Sequence, residues 1–308
     1  MGSNERFLPR KHGLWLILAG LVLLSVLVWF SIQYRSNLHL LDVLGIRAKK
    51  TEVLSRMRAD LLRSVEAEKN AVMADTDESS LAFADESRQA AQSMNRDRQE
   101  LGLLMEKDHS DREAKLLREF DGCVTELKEL DQAILDLAVK NTNLKAMKLS
   151  FGLGAEVLKR FEEALADLKQ AKGSSREEDQ IARKACKALV AALKIHDLHA
   201  PHIASPSDAE MDRIEGEMAQ YAGEIRTSLS QLKSLLPEKK QPSLKEAEAA
   251  YKELAGVTKE VIDLSRQNSN IKSFELSLGR KRKIAAQCDE ILTALQEDLR
   301  SKEFKATR

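Results

Sequence analysis

The chain is poor in the residues that build a compact catalytic domain. Aromatic residues make up 4% of its 308 residues, whereas 32% are charged. This balance suits long solvated helices better than a β-sandwich or a mixed α/β enzyme. The five prolines leave residues 10–200 without a single one, so this stretch has no obligate helix breaker. The sequence therefore predicts an all-α protein that is not an enzyme.

An excess of charge of either sign is also missing. The 49 Lys and Arg residues cancel the 49 Asp and Glu residues, whereas a nucleic-acid-binding protein would carry a basic excess on one face. The densest basic run, residues 280–283, fans over all sides of a helix and has acidic neighbours. We therefore expect a solvated surface at this run and no nucleic-acid partner.

Motifs for phosphate binding, metal-dependent hydrolysis and nucleophilic catalysis are missing too. His196 and His199 share a helical face at a spacing that suits metal chelation. However, no Cys-x2-Cys pair or carboxylate constellation accompanies them, and Pro201 breaks the predicted helix before His202. We therefore expect a solvated turn around these histidines, and neither a metal nor a cofactor.

One long apolar run stands against this polar background. Residues 13–32 carry no charge, and about twenty helical residues cross a hydrocarbon core of roughly 30 Å. Trp15 and Trp29 lie where interfacial aromatic residues are found. The alternative is a cleaved signal peptide, whose apolar region would be shorter and would end at a small-x-small cleavage site that this run lacks. The run predicts one uncleaved transmembrane helix at residues 13–34.

Basic residues predict the orientation of this helix. Arg6, Arg10 and Lys11 precede the apolar run, while only Arg35 follows it before Arg47. The positive-inside tendency therefore places residues 1–12 in the cytoplasm and residues 35–308 outside it. We expect a single-pass protein of the inner (plasma) membrane with its bulk on the extracytoplasmic side.

An internal duplication organises the rest of the chain. Residues 135–168 align with residues 262–295 without a gap, at an offset of 127, and 11 of 34 positions are identical. Shared Asn, Ser and Gly residues are not explained by helical periodicity, so we infer a duplication. Helix breakers predict six helices, short, short and long in each half. They run to about residue 73 and over about 79–107, 110–172, 176–199, 208–235 and 243–303.

The helix lengths predict the architecture. At 1.5 Å per residue, the third and sixth helices would each be roughly 90 Å long and the short ones roughly 40 Å. Short connections make sequential helices antiparallel neighbours. We therefore predict two stacked four-helix bundles that share the two long helices. The proximal bundle would comprise residues 38–140 and 275–303, and the distal bundle residues 141–274.

Six polar residues fall near the predicted junction of the bundles. One interpretation is that Asn141 and Asn268 form a buried pair that fixes the register of the helices. The other is that all six line a pocket for a ligand, because buried polar groups need partners. Helical spacing puts Asn141 and Asn143 on different faces, so we expect that the amides cannot all converge. The six residues are Asn141, Asn143, Ser150, Asn268, Asn270 and Ser277.

The three cysteines leave two alternatives open. Cys123 and Cys288 are predicted at the same height, roughly 20 Å above the base of the third and sixth helices. An extracytoplasmic compartment would permit a disulfide between them. Otherwise they are two free cysteines in the core, with Cys186 as the odd one. Nothing in the sequence indicates a catalytic nucleophile.

This organisation resembles the extracytoplasmic sensor regions of bacterial chemoreceptors and sensor kinases, in particular the helical bimodular and four-helix-bundle families. The resemblance covers residues 14–303. It rests on the anchored first helix, the duplicated short-short-long pattern and the paired segments NTNLKAMKLS and NSNIKSFELS. It implies a dimeric sensor in signal transduction that binds a small polar solute or a periplasmic protein. The alternative is a membrane-tethered scaffold rod that binds another protein.

The chain departs from these receptors at its last residues. The receptors continue into a second transmembrane helix and a signalling domain, whereas this sequence stops at residue 308. We therefore expect either a sensor without its own output domain or a shortened receptor.

Overall fold

A computed structural model describes residues 10–107, 110–169 and 176–306, and their side chains at residues 19–33, 41–107, 110–168 and 176–301. Every regular element within these ranges is helical. The predicted all-α class is therefore confirmed.

The described chain contains ten α-helices, two short π-helical turns and one 3-10 turn. Those of the first half are α1 (Arg10–Met73), α2 (Asp77–Lys107), α3 (Asp111–Ala138), α4 (Thr142–Leu149), the π turn Ser150–Gly154 and α5 (Ala155–Lys169). Those of the second half are α6 (Arg176–Ala204), α7 (Asp208–Leu235), the 3-10 turn Glu238–Lys240, α8 (Gln241–Gln267), α9 (Ser269–Leu276), the π turn Ser277–Lys281 and α10 (Arg282–Ala306).

The α1–α2 and α6–α7 connections both end in a residue that caps the following helix. Thr76 accepts a hydrogen bond from the Ser79 backbone N–H at 3.1 Å at the start of α2. Ser207 accepts one from Glu210 at 3.4 Å at the start of α7. A side-chain oxygen in this position satisfies a backbone donor that the first helical turn leaves free. These caps explain why α2 and α7 begin within two residues of their predicted starts.

Two predictions about helix continuity are wrong. First, α6 does not end at residue 199 but continues through Pro201 to Ala204. His202 and Ile203 are buried there, so packing of the last turn outweighs the unfavourable proline. Second, neither predicted long helix is continuous, because each contains a non-helical asparagine and a π turn.

The duplication recurs in the element boundaries. Thr142 and Ser269 begin α4 and α9, and Ala155 and Arg282 begin α5 and α10, both at the predicted offset of 127. The ends of α1 and α6, at Met73 and Ala204, differ by 131 residues, and so do the starts of α2 and α7. These two offsets define which positions of the two halves are equivalent.

The chain divides into two compact units. The first comprises the described residues of Met1–Leu61, Gln92–Gly122 and Cys288–Arg308. The second comprises those of Leu62–Ala91 and Cys123–Gln287. The predicted bundle boundaries at residues 140 and 274 stay a prediction.

Four helices contribute buried apolar side chains to the first unit. Leu54 and Met57 of α1, Leu101 of α2, Phe120 of α3 and Leu299 of α10 are each at most 1% exposed. A buried ion pair accompanies this core, because Lys50 Nζ lies 2.9 Å from Glu113 Oε2. The burial of one face of each helix follows from its 3.6-residue period.

The second unit contains a four-helix bundle of α5, α6, α7 and α8. Helix α5 packs against α6 and α8, and α7 packs against the same two helices. Its core includes Phe161 of α5, Ile225 of α7 and Leu254 of α8, each at most 1% exposed. Buried alanines on α6, such as Ala188 and Ala192, allow the neighbouring helices to approach closely. The predicted four-helix bundle is thus present in this part of the chain.

The predicted membrane segment lies in α1. Of residues 13–34, the structure describes the side chains of 19–33, and the large apolar ones among them, such as Leu24 and Phe30, are exposed. Within the described residues, no helix combines the length and the hydropathy needed to cross a membrane. The membrane helix stays a prediction.

Candidate functional site

Two left-handed asparagines interrupt the long helical segments at equivalent positions. Asn141 has φ 50° between α3 and α4, and Asn268 has φ 54° between α8 and α9. Asparagine tolerates this conformation better than most residues because its side chain bonds locally. Each break therefore starts a new helix whose first backbone N–H groups need partners.

The two breaks supply those partners to each other. The backbone N–H of Thr142 donates to Ser269 Oγ, and that of Ser269 donates to Thr142 Oγ1, both at 3.1 Å. Asn143 and Asn270 repeat the exchange, each N–H donating to the other's Oδ1 at 3.1 and 3.2 Å. We call residues 141–143 and 268–270 the asparagine junction. It joins α4 and α9 by a local two-fold pattern of hydrogen bonds.

The side-chain amides of the junction also find partners. Asn270 Nδ2 donates to Asn141 Oδ1 at 3.0 Å, and Asn143 Nδ2 donates to Asn268 Oδ1 at 2.8 Å. The expectation that the four amides cannot converge is therefore wrong, because the left-handed turns remove the continuous helix on which it rested. A solute would have to replace these bonds, and the ligand-binding role of the asparagines stays a prediction.

The junction reaches the neighbouring helix starts. Asn141 Nδ2 donates to Asp77 Oδ1 at 2.9 Å, and Asn268 Nδ2 donates to the Ser205 carbonyl at 3.0 Å. The hydrogen bond from Asn141 holds the pKa of the Asp77 carboxyl below its usual value, with further help from Lys145. The junction therefore positions α4 and α9 against the α1–α2 and α6–α7 turns.

Ser150 and Ser277 begin the two π turns and are buried. Ser150 Oγ lies 2.9 Å from His199 Nδ1, so its partner is a histidine of α6 and not an asparagine of the junction. His199 Nε2 lies 3.2 Å from Thr258 Oγ1 of α8. Three elements thus meet around His199, whose side chain is fully buried.

His199 is held in its neutral form. Burial lowers its pKa from 6.5 to about 4, and the neighbouring His196 and His202 act in the same direction. A neutral imidazole donates through one ring nitrogen and accepts through the other. Ser150, His199 and Thr258 therefore form a hydrogen-bond chain with a single direction.

His202 belongs to a second network, on the same side of α6. Its Nε2 lies 2.9 Å from Glu215 Oε1 and its Nδ1 lies 2.8 Å from Ser265 Oγ. Arg266 also donates to Glu215 and to Asp212. Burial acts to raise the pKa of Glu215, but the hydrogen bonds from Arg266 and His202 together keep it below its usual value.

The predicted solvated turn around the histidines is therefore wrong. His199 and His202 are both 0% exposed, since α6 continues through Pro201 and carries them along its buried face. A sequence signal was available, because Ala188, Ala192 and Ile195 lead to these positions by steps of four and three residues. The missing information was that partners on α7 and α8 satisfy the imidazoles.

A cleft of about 300 Å³ adjoins both networks. Thr258 and Glu215 line it, so each buried histidine is one hydrogen bond from the cleft. Apolar side chains supply most of the remaining wall, with Arg226 and Lys259 also contributing. We call this the histidine cleft. Its apolar lining is Ile195, Met218, Ala219, Ala222, Tyr251, Leu254, Ala255 and Ile262.

A buried ion cluster occupies the equivalent place in the other half of the duplication. Lys281 Nζ lies 2.7 Å from Glu68 Oε2 and also contacts Asp131. Burial raises the pKa of Asp131 despite the opposing charge of Lys281. Lys281 is 1% exposed, so the prediction of a solvated surface for residues 280–283 is wrong at this position.

The offsets make the two clusters direct counterparts. The offset of 127 relates Asp131 to Thr258, and the offset of 131 relates Glu68 to His199. The position equivalent to Lys281 is Gly154, where an added Cβ would lie 3.3 Å from the Leu149 carbonyl oxygen. The duplicated site has therefore diverged into a charged copy and a neutral copy beside the histidine cleft.

The cysteines differ in state. Cys123 and Cys288 are disulfide-bonded, whereas Cys186 is free and exposed. Within the described residues, no group of three or more His, Cys, Asp or Glu side chains has the arrangement of a metal site.

Comparisons with protein families, curated proteins and solved structures return no match to this chain. The resemblance to bacterial sensor regions therefore stays a prediction from the sequence.

Proposed function

We propose that the protein is a membrane-anchored extracytoplasmic sensor domain that binds a small polar solute in the histidine cleft. The observation that carries the proposal is the direct hydrogen bonding of two cleft residues, Thr258 and Glu215, to buried histidines. An apolar cleft with a few convergent polar groups is typical of small-molecule sites.

The hydrogen-bond chain gives the cleft a means of reporting an occupant. A solute that accepts a hydrogen bond from Thr258 requires His199 to donate to Thr258 through Nε2. The neutral ring must then accept from Ser150 through Nδ1. Binding in the cleft thereby sets the direction of the chain as far as the π turn Ser150–Gly154. π turns are frequent at functional sites.

The rest of the proposal comes from the sequence. The uncharged run 13–32 and its basic N-terminal flank support a single-pass anchor at 13–34 in the inner (plasma) membrane, with residues 35–308 outside the cytoplasm. The resemblance to chemoreceptor sensor regions supports two four-helix bundles, a homodimer and a role in signal transduction.

Solute binding is testable with the full chain in detergent. Amino acids, small carboxylates, polyamines and sugars would be added singly at millimolar concentration while thermal unfolding is followed. A solute that binds only the folded state raises the transition temperature in a concentration-dependent way. We expect at least one class to do so, and Thr258→Val to weaken its affinity by about tenfold, the loss of one hydrogen bond in a partly dry site.

Thr227→Val is the matched control, because Thr227 lies on α7, outside the cleft, and donates to the Gly223 carbonyl. The Thr227→Val variant should bind the solute with the same affinity as the unmodified chain. If no class of solute raises the transition temperature, or if both variants bind the solute equally well, the histidine cleft is not the sensor site.

A further inference from the structure

A second groove runs between α6 and α7. It consists of two neighbouring cavities of about 640 and 300 Å³ that share the lining residues Arg183 and Lys187. The wider cavity also contains Arg176 and Lys184, and the narrower one contains Lys194 and Tyr221. We call it the basic groove. None of these residues lines the histidine cleft.

The groove concentrates positive charge in a chain whose net charge is zero. Five cationic side chains line it, against the single carboxylate of Glu224. Glu224 lies 3.5 Å from Lys187, and Asp179 lies 3.9 Å from Arg183. Exposed pairs of this kind contribute little and exchange partners readily. The groove therefore retains a positive field that attracts an anionic partner.

The cations are spread along the groove instead of being gathered at one point. Arg176 and Lys194 are eighteen residues apart on α6, which corresponds to about 27 Å of helix. An extended peptide covers that distance with about eight residues. The spacing therefore suits a linear polyanion better than a compact ion.

The narrower cavity also has an apolar part between Lys187 and Lys194. Val190 lines it and is 45% exposed, and Leu193, one helical turn away, is 40% exposed. The Lys194 ammonium lies 4.8 Å from the centre of the Tyr221 ring, so a cation covers one face of the aromatic ring that lines the same cavity as Val190. Exposed apolar side chains next to a charged rim are typical of protein interaction sites.

We propose that the basic groove binds an extended acidic segment of a partner protein, with an apolar side chain of that segment seated against Val190. Carboxylates pair with the Arg176 and Arg183 guanidinium groups in a bidentate manner and with the lysines as point charges. The contact with Val190 distinguishes such a segment from an inorganic polyanion.

The test uses the full chain and a fluorescent octapeptide that contains four glutamates and a C-terminal leucine. Binding is measured by anisotropy at two salt concentrations. We expect affinity to fall as salt rises, and Arg183→Gln with Lys187→Gln to weaken binding at least tenfold. Val190→Asp should remove the preference for this peptide over one ending in serine.

The matched control is Lys245→Gln with Lys252→Gln, two exposed lysines of α8 outside the groove. This variant should bind within twofold of the unmodified chain. Thermal unfolding of each variant verifies that it is folded. The proposal is overturned if the peptide does not bind, if the groove variant binds it equally well, or if inorganic polyphosphate binds more tightly than the peptide.

Discussion

Histidine 199 shows how one buried side chain couples several elements. Its ring is bonded on one side to the π turn and on the other to α8, and the His196 ring centre lies 5.6 Å from its own. Because burial disfavours the imidazolium, protonation of His199 would destabilise the folded state. The stability of the bundle should therefore depend on pH through this residue.

The sign of that dependence follows from the lowered pKa. His199 titrates at about 4 in the folded chain instead of 6.5, so the unfolded chain binds more protons between these values. The contribution of neutral His199 to the free energy of unfolding is complete above about pH 6.5. It decreases as the pH falls and levels off below about pH 4. Between pH 7.5 and pH 5 we expect a loss of about 2 kcal/mol.

His199→Gln should remove this loss, because glutamine offers a hydrogen-bond donor and an acceptor but does not titrate. Urea unfolding at pH 7.5 and pH 5 measures the difference. His196→Gln serves as the comparison and should keep most of the pH dependence of the unmodified chain, because burial is the largest cause of the lowered pKa of His199. If His199→Gln loses as much free energy of unfolding between pH 7.5 and pH 5 as the unmodified chain, other groups cause the pH dependence.

At the scale of elements, the π turn Ser150–Gly154 determines where α5 begins. Its two glycines have different surroundings. An added Cβ at Gly154 would lie 3.3 Å from the Leu149 carbonyl oxygen and 3.4 Å from Val257 Cγ1. At Gly152 it would meet nothing within 4 Å. Of these two glycines, only Gly154 therefore packs closely against Leu149 and α8.

Alanine substitutions should therefore have opposite effects at these two positions. Gly154→Ala places a Cβ 3.3 Å from a backbone oxygen, so the turn must shift slightly, and we expect a loss of about 1–2 kcal/mol in the free energy of unfolding. Gly152→Ala should gain about 0.5–1 kcal/mol from higher helix propensity. Denaturant unfolding of the two variants checks this, and equal effects would contradict the tight packing at Gly154.

Most elements were predictable because their signals are local. Caps, prolines and apolar periodicity predicted the ends of α1, α2 and α7 to within two residues. The asparagine junction was not, since a left-handed asparagine in a helical pattern is stable only when its side chain and the following N–H groups have partners. Those partners lie 127 residues away in the chain.

At the scale of the whole molecule, the duplication has produced two unlike copies of one polar site. One copy buries Lys281 with Glu68 and Asp131, and the other joins neutral His199 to Thr258. A buried ammonium with two carboxylates is stable only while all three remain. The charged copy is therefore sensitive to the loss of any one member, while the neutral copy adjoins the histidine cleft.

Lys281→Met tests the charged copy. It leaves Glu68 and Asp131 buried without their cation, and we expect a loss of about 3–5 kcal/mol in the free energy of unfolding. Adding Glu68→Gln and Asp131→Asn should recover part of it, because no unpaired charge then remains. Lys283→Met, an exposed neighbour, should change stability by less than about 0.5 kcal/mol. Equal losses in the two lysine variants would refute the buried cluster.

The sequence by itself determined the helical class, the duplication and most helix ends, because each depends on residues close together in the chain or on direct identity between segments. Only the tertiary structure decided that α6 continues through Pro201, that the four asparagines converge, and that His199 and Lys281 have polar partners inside the protein. Burial and hydrogen bonding depend on partners from other helices, and the spacing along one helix carries no information about those partners.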